Sequence, residues 1–404
     1  MNDFHKFYKD KRFYVPVLVL IIFEILLQLG FYKPFLKKNS YAANVNRIAN
    51  HVIKMSKVHD PDILVLGTSV AYQGLSVTML NDKLKTKGLK LQSIAVPGSE
   101  LITQQQVFEE VIPHFKKPKL LLHVVEVTMP WVAQENLMLP TLAMIAEFDR
   151  VDAIRKIYQQ DYDLIEYPTS MNIYNFKDNW KKFMDSFSLK VEDISYILIR
   201  SIAYRRDMRE FIISPGPRFR YMFKHYYTEP NLDIPDYENE YTEKISSYFP
   251  IQDLDDCKVK TGPANTDPIP PDSSPEHKKA LFDTCSLALV TTVEANETYR
   301  TQLYFKRLKL LYDEIQKHGI KTVVVMAPYS SLLSHLGGKE RLAFWAKKLE
   351  EMNIPLVNLQ FITHGKNNGD YYYDLIHLNK HGKELFSNEL NNVLLENVDT
   401  WVKK

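Results

Sequence analysis

Three residues in this chain have the types and the order that acyl chemistry needs. Ser69 closes the stretch Ile63-Leu-Val-Leu-Gly-Thr-Ser69, and Asp374 stands three positions before His377 in Tyr373-Asp-Leu-Ile-His-Leu-Asn-Lys-His-Gly382. A hydroxyl becomes a strong nucleophile when an imidazole takes its proton, and a carboxylate keeps that imidazole in the useful tautomer. Taken alone, Ser69 reads equally well as a helix-capping hydroxyl. Its place directly after an apolar run is what gives it interest, because that run would deliver the hydroxyl to the carboxyl edge of a sheet.

The elements that would position these groups alternate between strand and helix. Ile63 to Leu66 reads as a fully buried strand, Ser76 to Leu84 as a helix, and Leu91 to Val96 as a second strand broken by Pro97-Gly98. Leu101 to Phe115 follows as an amphipathic helix, and Leu120 to Val127 as a third strand. After residue 300 come a helix over Tyr299 to His318, a strand over Thr322 to Met326 and a helix over Lys339 to Met352. A short strand over Ile354 to Leu359 and a helix from Lys380 to about Trp401 complete the pattern. Alternation of this kind predicts an α/β domain with a parallel sheet covered on both faces.

Residues 141–300 interrupt that pattern, so the α/β domain is split into 39–140 and 301–404 around a helical and loop-rich insertion. Helices are expected there over Val151 to Gln160, Asn179 to Phe187 and Val191 to Arg209. The stretch Arg218-Phe-Arg-Tyr-Met-Phe-Lys-His-Tyr-Tyr227 is basic and aromatic. It reads either as a helix packing its rings on the core or as a surface for an anionic polymer or lipid headgroups. Cys257 and Cys285, the only two cysteines, bracket a proline-rich loop; a bridge between them would suit an oxidising, exported location.

Residues 1–38 read as a membrane anchor. Lys6, Lys9, Lys11 and Arg12 precede an apolar run from Phe13 to Tyr32, which is about the length of a bilayer-crossing helix. Glu24 and Gln28 interrupt the run, and a carboxyl there needs a partner. Lysines flank the far side as well, so charge alone leaves the orientation open.

A serine after the first strand together with Asp374-x-x-His-Leu-Asn-x-x-Gly382 before the last helix resembles the SGNH (GDSL-like) hydrolase superfamily. The nearest likeness is to its membrane-anchored envelope O-acylation members, which act in teichoic-acid D-alanylation or alginate acetylation. The resemblance covers residues 60–130 and 300–400 and omits the insertion. It implies a flavodoxin-like three-layer α/β/α fold with Ser69 as nucleophile, His377 as base and Asp374 as the carboxylate that orients it. It also implies an oxyanion hole built from the Ser69 N–H and the Gly98 N–H. The family's third donor is an asparagine after the third strand, but here the chain reads Glu126-Val-Thr-Met-Pro-Trp131. Thr128 is the substitute donor nearest to hand. Loss of one such donor typically removes about 2.7–4 kcal/mol of transition-state stabilisation.

Composition narrows the remaining choices. With 51 basic against 49 acidic residues, bulk charge gives no footprint for nucleic acid. His51, His59, His114, His123 and His318 are scattered without metal-ligand spacing, and no phosphate-binding or dinucleotide fingerprint occurs, so no cofactor or metal is expected. The expectation is a single-pass membrane protein with its bulk outside the cytoplasm, in a bacterial periplasm or cell envelope. It would be a serine esterase or O-acyltransferase acting on an envelope glycan, lipid or polymer. Two alternatives remain: a catalytically silent binding module that partners a membrane acyltransferase, and a soluble esterase with an apolar docking helix.

Overall fold

Apolar runs as short as Ile63–Gly67 and Leu120–Val125 bury every residue, so neither face of the sheet they form meets water. The computed structural model describes residues 11–37, 41–131, 191, 194–225, 297–330, 338–366, 370–372 and 376–403. In chain order these form helices α1 (Lys11–Gln28) and α2 (Tyr41–Met55), strand β1 (Ile63–Gly67), α3 (Ser69–Gly74), α4 (Val77–Leu84) and β2 (Leu91–Ser93). Next come α5 (Leu101–Val111), β3 (Leu120–Val125), α6 (Arg200–Ala203), α7 (Arg205–Ile213) and α8 (Pro215–His225). The last group is α9 (Tyr299–Lys317), β4 (Lys321–Met326), α10 (Gly338–Glu351), β5 (Leu356–Asn358) and α11 (Lys380–Lys403).

The chain divides into two compact units. One comprises Met1–Arg47 and Leu137–Pro230. Within it, α1 exposes apolar side chains at nearly every position from Tyr14 to Ile25. Glu24 accepts the backbone N–H groups of Arg200 at 2.6 Å and Ser201 at 2.9 Å, and Gln28 donates to the Leu198 carbonyl. This carboxylate explains why the single helix expected over Val191 to Arg209 breaks: by capping Arg200 it starts α6, and Tyr204 then separates α6 from α7. Among the described residues no helix is long and apolar enough to cross a membrane; α1 carries Lys11, Arg12 and Glu24. The helices expected over Val151 to Gln160 and Asn179 to Phe187, and both cysteines, lie outside the described residues.

The other unit, Ile48–Asn136 with Asn231–Lys404, holds the expected α/β architecture. Its five strands are all parallel in the order β2-β1-β3-β4-β5. β1 pairs with β3 in a register that sets Ile63 beside Leu120 and Gly67 beside Val124. One core cluster joins Val65, Leu122 and Val325 of the strands to Leu80 of α4 and to Phe386, Leu390 and Leu394 of α11. The strand ends differ from expectation: β2 stops at Ser93 and β5 spans only Leu356–Asn358. Helix α2, which the sequence reading did not name, buries Val45, Ile48, Ala49, Val52 and Met55 at helical spacing.

A buried polar chain threads this core. Tyr312 donates its hydroxyl to His123 Nδ1 at 2.8 Å, and His123 Nε2–H donates to Gln104 Oε1 at 2.8 Å. Gln104 in turn donates to the Ser99 carbonyl beside Gly98. Burial pushes the His123 pKa down to about 3, so the ring is neutral when the chain is folded. Its unfolded value lies near 6.5, so its contribution to stability is present above that pH and lost as pH falls towards 3. Denaturant melts from pH 7.5 down to 5 should therefore show stability falling by about 1 kcal/mol per pH unit from this group. A His123→Gln variant should be less stable at pH 7.5 but show a flatter pH dependence over that range.

Candidate active site

Ser69 gets its position from the glycine two residues before it. Gly67 has φ near +157°, and a Cβ there would lie 2.6 Å from the Val124 carbonyl and 2.7 Å from Ala71 Cβ. Only glycine lets the chain leave β1 this close to β3. Thr68 then caps α3, its hydroxyl accepting from the Val70 N–H, so Ser69 is the first helical residue. Helix geometry gives the Ser69 N–H no acceptor within α3.

Beside this turn, the chain after β2 stays attached to β1. The Ile94 N–H bonds to the Val65 carbonyl at 2.8 Å and the Val96 N–H to the Gly67 carbonyl at 3.0 Å. The Ser99 hydroxyl donates to the Val96 carbonyl at 2.7 Å and reaches the Gly67 carbonyl at 3.3 Å. Gly98 adopts φ +68° within the turn so held. Two backbone segments expected to supply oxyanion donors are thus tied to the same end of one strand.

His377 arrives from the opposite end of the chain. An isolated antiparallel bridge between Tyr372 and Leu378 pins its loop, and the Tyr372 hydroxyl shares a hydrogen bond with Thr363 at 2.8 Å. Asn379 is buried and acts as a clamp: its Nδ2 donates to the Asp370 carbonyl, its N–H to the Tyr371 carbonyl, and its Oδ1 accepts the Gly382 N–H. That last bond caps α11. Gly382 has no room for a Cβ, which would fall 2.1 Å from the Tyr371 carbonyl. The result is a 2.9 Å contact between His377 Nε2 and Ser69 Oγ across 308 positions of chain. With the ring proton on Nδ1, Nε2 is the acceptor for the serine proton. Asp374 lies outside the described residues.

Thr128 is buried, and its hydroxyl donates to Glu126 Oε1. Glu126 is the residue the sequence reading passed over. It follows β3 directly, at the same sheet edge from which Ser69 opens α3. Burial pushes its carboxyl pKa up, against the Thr128 hydroxyl and the positive charges of His377 and Arg341, which favour the ionised form. Arg341 is also buried, with its guanidinium 5.2 Å from the centre of the Trp131 ring, and burial together with the Glu126 carboxylate pushes the Tyr304 and Tyr329 hydroxyls up, so both stay neutral. The available signal was a carboxylate closing the otherwise apolar run Leu-Leu-Leu-His-Val-Val-Glu126. Buried ionisable groups at the carboxyl edge of a sheet, beside the point where strand order reverses, mark a ligand site in folds of this kind.

A scan against protein-family models finds no match, and a search of curated proteins finds no match either.

Two outcomes follow from this geometry. Asn379→Ala removes the cap of α11 and the clamp on the His377 loop, so it should lower stability by about 1–2 kcal/mol in denaturant melts. The raised pKa of Glu126 means its stabilising contribution is full below 4.5 and lost as pH rises through the folded value. A Glu126→Gln variant should therefore gain stability relative to the parent as melts move from pH 4.5 to pH 8.

Proposed function

We propose that this chain is a membrane-anchored serine esterase or O-acyltransferase of the SGNH type, acting on a cell-envelope glycan, lipid or polymer. The observation that carries the reading is the 2.9 Å contact between Ser69 Oγ and His377 Nε2, made by residues at the carboxyl edge of a parallel sheet. In this reading His377 accepts the Ser69 proton as Oγ attacks an ester carbonyl. The Ser69 and Gly98 N–H groups hold the negative charge that develops on the carbonyl oxygen. His377 then gives that proton to the departing alcohol, which leaves the acyl-serine. Water or an acceptor hydroxyl attacks next, His377 taking its proton and returning it to Ser69 Oγ, while Asp374 orients the imidazole. The β2-β1-β3-β4-β5 order suits the flavodoxin-like three-layer arrangement of that superfamily.

The anchor is proposed for residues 13–32, with the α/β unit outside the cytoplasm in a bacterial envelope. Its support is the apolar stretch of α1, exposed at nearly every position from Tyr14 to Ile25, with its one carboxylate satisfied by backbone donors. Apolar side chains exposed all round a helix favour lipid over water.

A second reading, a catalytically silent binding module that partners a membrane acyltransferase, draws on Glu126 and Thr128. Where an SGNH hydrolase offers an asparagine donor, this chain has a threonine whose hydroxyl is already donated to the buried Glu126 carboxyl group. Labelling of the full chain in detergent with a fluorophosphonate separates the two. The esterase reading expects labelling of Ser69, abolished in Ser69→Ala and slowed by on the order of a thousandfold in His377→Ala. A folded parent that is not labelled overturns it in favour of the binding module.

A further inference from the structure

The two helices α7 and α8 carry a surface that catalysis does not use. Their polar interior is closed. Asp207 accepts from the Tyr32 hydroxyl at 2.7 Å and from the Lys37 N–H at 3.1 Å, and it pairs with Arg218, whose guanidinium also donates to the Phe35 carbonyl. Around this pair Tyr32, Phe35, Tyr204, Phe211 and Phe219 form a small aromatic cluster with neighbouring rings 5.2–6.4 Å apart. These contacts fix α7 and α8 to the chain that leaves α1.

Large apolar side chains and arginines stand out on the outward face. Ile212, Ile213 and Phe223 are 77%, 76% and 67% exposed. Beside them Arg205, Arg206, Arg209 and Arg220 are also exposed. The one acidic residue that reaches this surface, Glu210, is engaged by Lys37, Arg206 and Arg218. Large aliphatic and aromatic tips in water are unfavourable, by about 25 cal/mol for each Å² left uncovered. Guanidinium groups, by contrast, favour phosphate. One environment satisfies both at once: the boundary where anionic headgroups lie over acyl chains.

We infer that α7 and α8 lie in the plane of an anionic phospholipid surface, with Ile212, Ile213 and Phe223 among the upper acyl carbons and the exposed arginines at the phosphates. This rests on the membrane reading of residues 13–32 and deepens it. The same unit exposes the apolar length of α1, so the lipid contact is a second one beside the anchor, sufficient to hold the unit at a set depth. It also gives Arg220 and Phe223, from the basic and aromatic stretch, a use that esterase chemistry leaves open.

The test uses the full chain reconstituted into phosphatidylcholine vesicles containing phosphatidylglycerol, with Ile213→Trp in one variant and Leu20→Trp in another. Lipids brominated close to the headgroup quench tryptophans that enter the interface, and the emission added over the parent chain is what is read. The expected result is quenching of the tryptophan at position 213 by about half or more, falling severalfold when phosphatidylglycerol is omitted. Phe223→Trp gives an independent reading should the first variant fold poorly. Quenching at position 20 with none at 213 or 223 overturns the inference while leaving the anchor in place; a face reserved for a protein partner would give that result. No quenching at any of the three overturns the membrane reading and the inference together.

Discussion

The hydrogen-bonded pairing of β1 with β3 is the constraint on which the rest of the α/β unit depends. Both strands are buried along their whole length, so polar side chains can be placed freely only beyond their carboxyl ends. Once Gly67 sits beside Val124, Ser69 opens α3 and Glu126 follows β3 at the same edge of the sheet. The close approach at Gly67 keeps that register tight, because no other side chain fits between the strands there. Everything proposed to meet substrate is hung from this edge.

Polar groups buried near it are satisfied in a graded way. His123, Gln104 and Tyr312 form a neutral chain ending at the Ser99 carbonyl, so they can stiffen the Gly98 turn without placing charge in the core. Glu126 and Arg341 are different: they are charged groups held under the sheet edge where burial disfavours them both. A fold selected for stability alone would have apolar residues there. Their retention beside a serine–histidine pair fits a site where an electric field matters more than the stability it costs.

The N-terminal unit follows the same logic with a different solvent. Its buried polar atoms, Glu24 and Asp207 above all, are matched to backbone donors and to Arg218. Its apolar side chains, however, face outward along α1 and at the tips of α7 and α8. That unit thus exposes apolar side chains along α1 and at the tips of α7 and α8 beside an interior that is itself aromatic around the Asp207–Arg218 pair.

How much of this could be read from the chain follows from the range of the forces involved. Strands β1, β3 and β4 and helices α5, α9 and α11 were legible because uninterrupted apolar runs and helical periodicity are local properties. Ser69 and His377 were legible as candidates because a glycine turn after a strand and a histidine loop before a helix are also written locally. The start of α6 at Arg200 was not, since it depends on Glu24, 176 positions upstream, capping a helix it does not belong to. Glu126 was missed for the same reason: its meaning comes from a strand register and from Arg341 and His377, all distant in sequence. Local pattern determined which elements form and which residue types they carry to their ends. Only the tertiary structure decided which ends meet, because a 2.9 Å contact across 308 residues is set by sheet order and loop clamping that no short window of sequence contains.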